Sequence, residues 1–148
     1  MQIRINRTIS ILYRYGQRFL AANLRPLGFE VGQFPSLMRI YSTPGITQDQ
    51  ISYETGMDKG TTARSVQQLE ANGLAYREND PADRRINHIY PTTEGKELEP
   101  KVIEVVDALH GVLYRGFTPD EIAQAGALLE RMKQNLMEEI GRKPPRHD

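Results

Sequence analysis

The chain has 148 residues, 39% hydrophobic and 26% charged, which is typical of one ordinary globular domain, and no apolar run approaches the roughly 20 residues that span a membrane. Its 19 basic residues equal its 19 acidic residues, so the overall charge gives no sign of nucleic-acid binding. The absence of cysteine excludes disulfides, thiolate metal sites and cysteine-based oxidant sensing.

Two helices are predicted in the first third of the chain. Residues 5–24 carry a stripe of apolar side chains at helical spacing and further apolar side chains off that stripe, which indicates a helix buried against more than one neighbour. The Pro- and Gly-containing residues 25–28 end this helix. A second helix is predicted over residues 33–42, with Pro35 in the first turn, where a missing N–H costs little.

A helix-turn-helix is predicted next. Thr47 and the three residues after it have the S/T-x-x-E/Q form of a capping box and begin a helix of about two turns that ends near Gly56. Asp58 is a suitable N-cap for a following helix that runs through Asn72. In such a motif the second helix enters the major groove of DNA, and its N-terminal residues meet base edges.

The spacing of apolar residues then changes to that of a β-hairpin. Residues 74–77 and 86–90 are predicted as short strands, and residues 79–83 between them have turn chemistry. Arg84 and Arg85 follow that turn, next to Asp83. A protruding arginine can enter the narrow minor groove, and a neighbouring carboxylate can pair with an arginine and fix its direction.

Two long helices complete the prediction. Thr92 or Thr93 caps the first, and Pro100 inside it is expected to produce a kink. Thr118, followed by a proline and two acids, begins the last helix. We expect residues 141–148 to be frayed. The predicted fold class is mainly α with a small β-hairpin wing.

Polar and basic residues on the second helix of the motif and on the wing are the candidates for DNA contact. Arginine can bond guanine bidentately and glutamine can bond adenine, while Gly60 removes bulk so that the helix end can approach closely. Solvated polar helix faces and solvated turn arginines are common alternatives; the order helix-turn-helix followed by an arginine-tipped hairpin is more specific than either part. The candidate DNA-contacting residues are Thr47, Gln48, Lys59, Gly60, Thr61, Thr62, Arg64, Ser65, Gln68, Arg77, Arg84 and Arg85.

Three runs of sequence resemble the MarR family of transcription regulators. Residues 57–74 (MDKGTTARSVQQLEANGL) resemble its recognition helix, Arg77 and residues 80–85 (DPADRR) look like its wing, and residues 90–98 (YPTTEGKEL) are similar to the start of its fifth helix. The resemblance is specific over residues 47–98 and architectural elsewhere. It implies a single winged helix-turn-helix domain over residues 1–148, flanked by N- and C-terminal dimerisation helices.

The resemblance also implies partners. The dimerisation region is expected at about residues 1–30 and 100–148 and the DNA-binding lobe at about 31–99. A homodimer is then expected to bind an inverted repeat in double-stranded DNA and to act as a repressor. Interface candidates, each of which suits an ordinary core equally well, are Ile5, Ile9, Leu129, Met132 and Leu136. A small aromatic or phenolic effector is expected to weaken DNA binding from a cleft between the two regions. Its candidate lining, for which core packing is the competing interpretation, is Tyr13, Leu37, Met38, Tyr41 and Val112.

Other functions have weaker support in the sequence. The chain has no phosphate loop, nucleophile elbow or paired-histidine motif, and His88, His110 and His147 lack ligand spacing, so we expect neither an enzyme nor a cofactor nor a metal site. A winged helix used only for protein contacts is the main alternative, and RNA binding is disfavoured by the deep, narrow major groove of A-form RNA. Without a visible secretory signal, a cytoplasmic location is expected.

Overall fold

The computed structural model describes residues 3–146, which form six α-helices and a three-stranded antiparallel sheet. The helices are α1 (Ile5–Leu24), α2 (Phe34–Ser42), α3 (Gln48–Thr55), α4 (Lys59–Ala71), α5 (Thr93–Leu113) and α6 (Pro119–Glu139). The strands are β1 (Ile46–Thr47), β2 (Ala75–Asn79) and β3 (Asn87–Pro91). This architecture confirms the predicted fold class. Two 3₁₀ turns, Arg25–Leu27 and Val31–Gln33, connect α1 to α2, so the second helix begins one residue later than predicted.

Side-chain caps fix where four helices begin. Asp58 caps α4, and Thr92, rather than Thr93, caps α5 by accepting a 3.0 Å hydrogen bond from the Gly95 amide. Thr118 forms a complete capping box at α6. Thr47 caps α3 through the Gln50 amide at 3.2 Å, but the side-chain oxygen of Gln50 is buried without a partner among the described residues, so the reciprocal bond of the predicted capping box is absent.

Strand β1 was not predicted, because two residues are too short to show a period. It pairs with β3 at Ile46–Ile89 and gives the sheet the order β1-β3-β2. Gly45 precedes it with a φ of +88°, a conformation that favours glycine, and its amide donates to the Ile89 carbonyl at 2.8 Å. The strand therefore ties the start of α3 directly to the wing formed by β2 and β3.

The core lies where α1, α2, α4 and α5 meet the sheet. Leu24, Leu37 and Ile89 are among its fully buried side chains. At the start of α5, Gly95 lies so close to the Leu74 carbonyl that a Cβ would overlap that oxygen. Helix α5 continues through Pro100 to Leu113, and the kink expected at Pro100 stays a prediction.

Much of α1 and all of α6 lie outside this core. In the single chain, α6 has no buried residue, and the apolar side chains of the outer part of α1 are exposed as well. Of the interface candidates, Met132 is half-buried and the others are between 39% and 66% exposed, namely Ile5, Ile9, Leu129 and Leu136. An ordinary intramolecular core is therefore the wrong interpretation for these four residues. No helix within residues 3–146 is long and apolar enough to cross a membrane.

Candidate nucleic-acid interface

A chain of hydrogen bonds organises the exposed N-terminal end of α4. The Asp58 carboxylate accepts from the Thr61 amide at 2.7 Å and from the Thr61 hydroxyl at 3.0 Å. These bonds lower the pKa of Asp58 below its ordinary value, so the carboxylate stays charged. The Thr61 hydroxyl in turn accepts from Nη2 of Arg64 at 3.2 Å. Helix capping and the orientation of Arg64 thus depend on the same pair of side chains.

Lys59 and Gly60 occupy the first turn of the same helix. Nζ of Lys59 lies 3.7 Å from the Asp49 carboxylate, and both side chains are more than 60% exposed, so this pair contributes little to folding and leaves the lysine available. A Cβ at Gly60 would make only ordinary contacts with Asp58 and Arg64. No contact within residues 3–146 therefore requires glycine at this position.

Two of the predicted contact residues do not lie on this exposed face. Thr62 is fully buried, with its hydroxyl donating to the Asp58 carbonyl at 2.9 Å. Ser65 is also buried and shares a 2.5 Å hydrogen bond with Ser36 of α2. The helical period turns both side chains toward Val66 and the core, so the prediction that they face DNA is wrong. Gln67, which the sequence analysis missed, is exposed one turn after Arg64, a spacing that a helical projection would have shown.

The remaining candidates on the helix-turn-helix lie at its margins. Thr47 and Gln48 are half-buried at the start of α3. Gln68 is exposed, and its side-chain oxygen lies 3.5 Å from Nε2 of Gln33. Arg77 on β2 pairs with the Glu70 carboxylate through Nε at 2.9 Å and Nη2 at 2.5 Å. This two-point contact makes Arg77 a link between α4 and the wing, and its contact with DNA stays a prediction.

The wing loop presents its two arginines differently. Backbone bonds from Asp80 to the Ile86 carbonyl (2.9 Å) and from Ile86 to the Asp83 carbonyl (3.0 Å) close the loop. Arg85 donates to both carboxylate oxygens of Asp83, at 3.0 and 2.9 Å, which lowers the pKa of Asp83 and confirms the predicted aspartate–arginine pair. Arg84 is exposed, and its guanidinium has no ion-pair partner within residues 3–146. The loop therefore offers one oriented and one unpaired cation.

His88 fixes the base of the wing. Its Nε2 lies 2.8 Å from Oδ2 of Asp80, and its Nδ1 lies 2.8 Å from the Gly45 carbonyl oxygen. The hydrogen bond with Asp80, followed by that with Gly45, raises the pKa of His88 above 6.5. The other oxygen of Asp80 accepts from the Ala82 and Asp83 amides, at 2.8 and 3.1 Å, so one carboxylate connects β3 to the loop.

A cavity of about 270 Å³ lies between α1, α2 and α5. Its lining is apolar except for Tyr13 and Gln17, which share a 2.7 Å hydrogen bond. Only Tyr13 of the five predicted lining residues contributes to it. Leu37 and Tyr41 are buried in the core, where the Tyr41 hydroxyl donates to the Gly95 carbonyl at 2.6 Å and burial raises its pKa to about 12.

The other two predicted lining residues also lie elsewhere. Met38 packs against the core, and Val112 is 40% exposed and outside the cavity lining. The residues that the sequence analysis missed include Leu12, Phe34 and Leu109. They come from three different helices, and sequence spacing within one helix does not reveal such a grouping.

Comparison with known proteins decides the family. The chain is 30% identical over 132 residues to YybA of Bacillus subtilis, an HTH-type transcriptional regulator, covering 89% of this chain and 88% of YybA. A MarR transcriptional regulator from Methanosarcina mazei is 37% identical in sequence and similar in structure, with a TM-score of 0.84 over 90% of this chain and 96% of that one. This chain belongs to the MarR family. The family's sequence model matches residues 27–86, which contain the helix-turn-helix and most of the wing.

One structural relative of this MarR family protein is bound to DNA. A MarR family regulator from Listeria monocytogenes, complexed with a 26mer DNA, is 25% identical and superposes with a TM-score of 0.89 over 100% of both chains. The relatives of this MarR family protein are transcriptional regulators and not enzymes. Within residues 3–146 no three His, Asp or Glu side chains are grouped to hold a metal ion, and His147 lies outside the described residues.

Proposed function

We propose that this MarR family protein is a sequence-specific repressor that binds an inverted repeat in double-stranded DNA as a homodimer. The observation that carries the proposal is that the start of α4 and the wing both expose basic side chains. Lys59, Gly60 and Arg64 are exposed at the start of α4, and Arg84 and Arg85 are exposed on the wing. A recognition helix reads base edges in the major groove, and arginines suit the neighbouring minor groove.

The support for a dimer is that the single chain leaves apolar side chains of α1 and α6 exposed. Leu129 and Leu136 on α6 and Ile140, the residue that caps its C-terminal end, form one stripe at 45%, 66% and 73% exposure. Ile5 and Ile9 are exposed in the same way on α1. Contiguous apolar surface of this kind marks an interface. A two-fold axis through these helices would present two copies of α4 to successive major grooves. We accordingly propose that the dimerisation helices lie within about residues 1–30 and 100–148 and that the DNA-binding lobe spans about residues 31–99.

The test is a binding selection with genomic fragments and the full-length protein, followed by a salt titration on the best fragment. We expect an enriched inverted repeat whose affinity falls steeply with salt. The double variant Arg84→Ala/Arg85→Ala should weaken binding to every duplex and lower the salt slope by about 1 to 2. The matched control Lys101→Ala/Arg115→Ala removes two charges from α5 and the turn after it, and should bind as the unchanged protein does.

Failure of this test has a definite meaning. The first contrary result is that no genomic fragment is enriched, and the second is that the wing variant binds DNA with the salt slope of the unchanged protein. Together they would favour a winged helix used for protein contacts over a DNA-binding regulator. A repressor would in addition lower transcription from a reporter carrying the selected repeat, whereas an activator would raise it. Because the proposed activity requires access to the genome, we propose a cytoplasmic location for the protein.

The cavity between α1, α2 and α5 is the proposed effector site. Its apolar lining suits an aromatic ring, and the Tyr13 hydroxyl with the Gln17 amide suits a phenol or carboxylate on that ring. A ligand here touches both a dimerisation helix and α2 of the DNA-binding lobe, and so can alter their spacing. 4-Hydroxybenzoate should raise the thermal midpoint and weaken operator binding; Gly16→Val, which fills the cavity, should abolish both effects. Equal responses of the two proteins would exclude this site.

A further inference from the structure

The segment that follows α6, expected to be frayed, is held in a defined position. Gly141 adopts a φ of +71°, and its amide donates to the Glu138 carbonyl at 3.1 Å. The Arg142 amide donates to the Met137 carbonyl at 2.8 Å. These two bonds form the Schellman arrangement that terminates a helix and sets the direction of the chain beyond it. The direction of residues 142–146 is thus fixed at the helix end.

This direction brings the segment onto the helix-turn-helix. Nη2 of Arg142 donates to the Ser52 hydroxyl of α3 at 3.3 Å, and the same hydroxyl donates to the Met57 carbonyl in the turn before α4 at 2.6 Å. Pro144 and Pro145 then restrict the backbone to extended conformations. Arg142 therefore connects the end of α6 to the turn that positions the recognition helix.

The segment reaches a groove between the wing and α3. Pro145 and Arg146 line a groove of about 320 Å³ together with the start of α3 and the wing, namely Thr47, Gln48, Asp49, Asp80, Arg85, Ile86, Asn87 and His88. Asp49 is also the residue that pairs with Lys59 of α4. The first helix of a helix-turn-helix crosses the DNA backbone, so Arg146 lies between the wing and the helix, α3, that this motif places along that backbone.

The basic charge of this segment adds to a recognition helix and wing, residues 58–90, that carry no net charge. Residues 58–90 contain five basic and five acidic residues and have no net charge of their own. Residues 141–148 add three basic residues against one acidic residue, Asp148. Lys143 and Arg146 are exposed and form no ion pair within residues 3–146. The segment thus carries two exposed cations without an ion pair among the described residues, and one of them, Arg146, lines the groove beside the wing.

We propose that residues 141–146, the basic arm, form a third DNA-contacting element in which Lys143 and Arg146 bind backbone phosphates next to the wing. This inference rests on the proposed function. Phosphate contacts add affinity and fix the register of the protein on the duplex without reading sequence. The arm also explains how a chain with no net charge acquires the cationic surface that DNA binding requires.

The experiment compares Lys143→Ala/Arg146→Ala with the unchanged protein in full-length form. On the selected fragment, the variant should bind at least about threefold more weakly at 150 mM salt, and its salt slope should fall by about 1 to 2. The selected consensus should stay the same. Both side chains are exposed, so the thermal midpoint and the dimer should be unchanged. The Lys101→Ala/Arg115→Ala variant again controls for the loss of two charges.

Two results would overturn the proposal that the basic arm contacts DNA. An unchanged affinity and slope would show that the cations stay in solvent, and tighter binding would show that the segment instead blocks the groove. Absence of specific binding by the unchanged protein is a different outcome, because it contradicts the proposed function before the arm is tested. If the Lys143→Ala/Arg146→Ala dimer binds its repeat as the unchanged protein does, the proposed DNA contact of the basic arm is wrong and the proposed function stands.

Discussion

His88 on β3 and Asp80 in the wing loop are joined by a 2.8 Å hydrogen bond between Nε2 and Oδ2. The other ring nitrogen of His88 lies 2.8 Å from the Gly45 carbonyl oxygen. A carboxylate and a carbonyl both accept, so the imidazole makes both bonds only when it carries two protons and a positive charge. Protonation of one histidine is thereby coupled to the position of the wing relative to β1.

The first prediction follows from this coupling. Because the folded-state pKa of His88 is raised above 6.5, its contribution to stability is complete below that pH and is lost as the pH rises through the higher folded value. Asp80, and after it Glu78 opposite His88 on β2, favour the charged form of the imidazole. Arg85 lines the same groove as His88. We expect the thermal midpoint and operator affinity to fall together as the pH rises above about 6.5.

Substitutions at His88 and His110 test which histidine causes the pH dependence. His88→Gln retains one hydrogen bond without titrating, so its thermal midpoint should be lower than that of the unchanged protein at pH 6 and nearly flat up to pH 9. His110→Gln, on α5, removes a ring that stacks on Tyr114 far from the wing and should keep the original pH dependence. If the thermal midpoint of His88→Gln still falls with pH as in the unchanged protein, His88 is not the cause of the pH dependence.

Gly60→Ala should separate DNA binding from folding. A Cβ fits at this position inside the chain, and alanine favours helix, so the free energy of unfolding should be unchanged or higher by up to about 1 kcal/mol. Operator affinity should fall by about tenfold, or about 1.4 kcal/mol, because the added methyl group meets the duplex. Chemical denaturation and fluorescence anisotropy measure the two effects. Undiminished affinity would mean that the start of α4 keeps its distance from DNA.

Thr62→Ala and Arg64→Ala should have opposite phenotypes. The buried Thr62 side chain loses a hydrogen bond and a methyl group, which should destabilise the protein by about 1–2 kcal/mol without changing the selected consensus. Arg64 is exposed, so its loss should change stability by less than about 0.5 kcal/mol and relax base preference by about 1–3 kcal/mol at one position. The reverse pattern in denaturation and binding selection would contradict the burial of Thr62.

Leu136→Asp should dissociate the dimer. Its side chain is 66% exposed in the single chain and lies on the apolar stripe of α6, so a carboxylate there would be buried without a partner at the interface. Asn135→Asp adds the same charge on a neighbouring exposed face and serves as the control. Sedimentation velocity should show a monomer for the first variant and a dimer for the second. A dimer in both variants would place the interface elsewhere.

The sequence determined the parts of this protein that depend on local physics. Periodicity located all six helices, and the caps at Thr47, Asp58 and Thr118 followed from side chains that accept bonds from nearby amides. The aspartate–arginine pair in the wing was likewise predictable, since Asp83 and Arg85 are two residues apart. Such features need only a few consecutive residues, and the order of these features already resembled the MarR family.

The tertiary structure decided which side chains reach the surface and which distant residues meet. The helical period of Val66 and Leu69 already places Ser65 on the inner face of α4, but only the packing of the helices shows that Ser36 is its partner there. The cavity collects residues from three helices, β1 exists because β3 is beside it, and Arg142 meets Ser52 across 90 positions of sequence. These contacts depend on how whole elements pack, because a contact between distant residues is set by the positions of both elements and leaves no period in either.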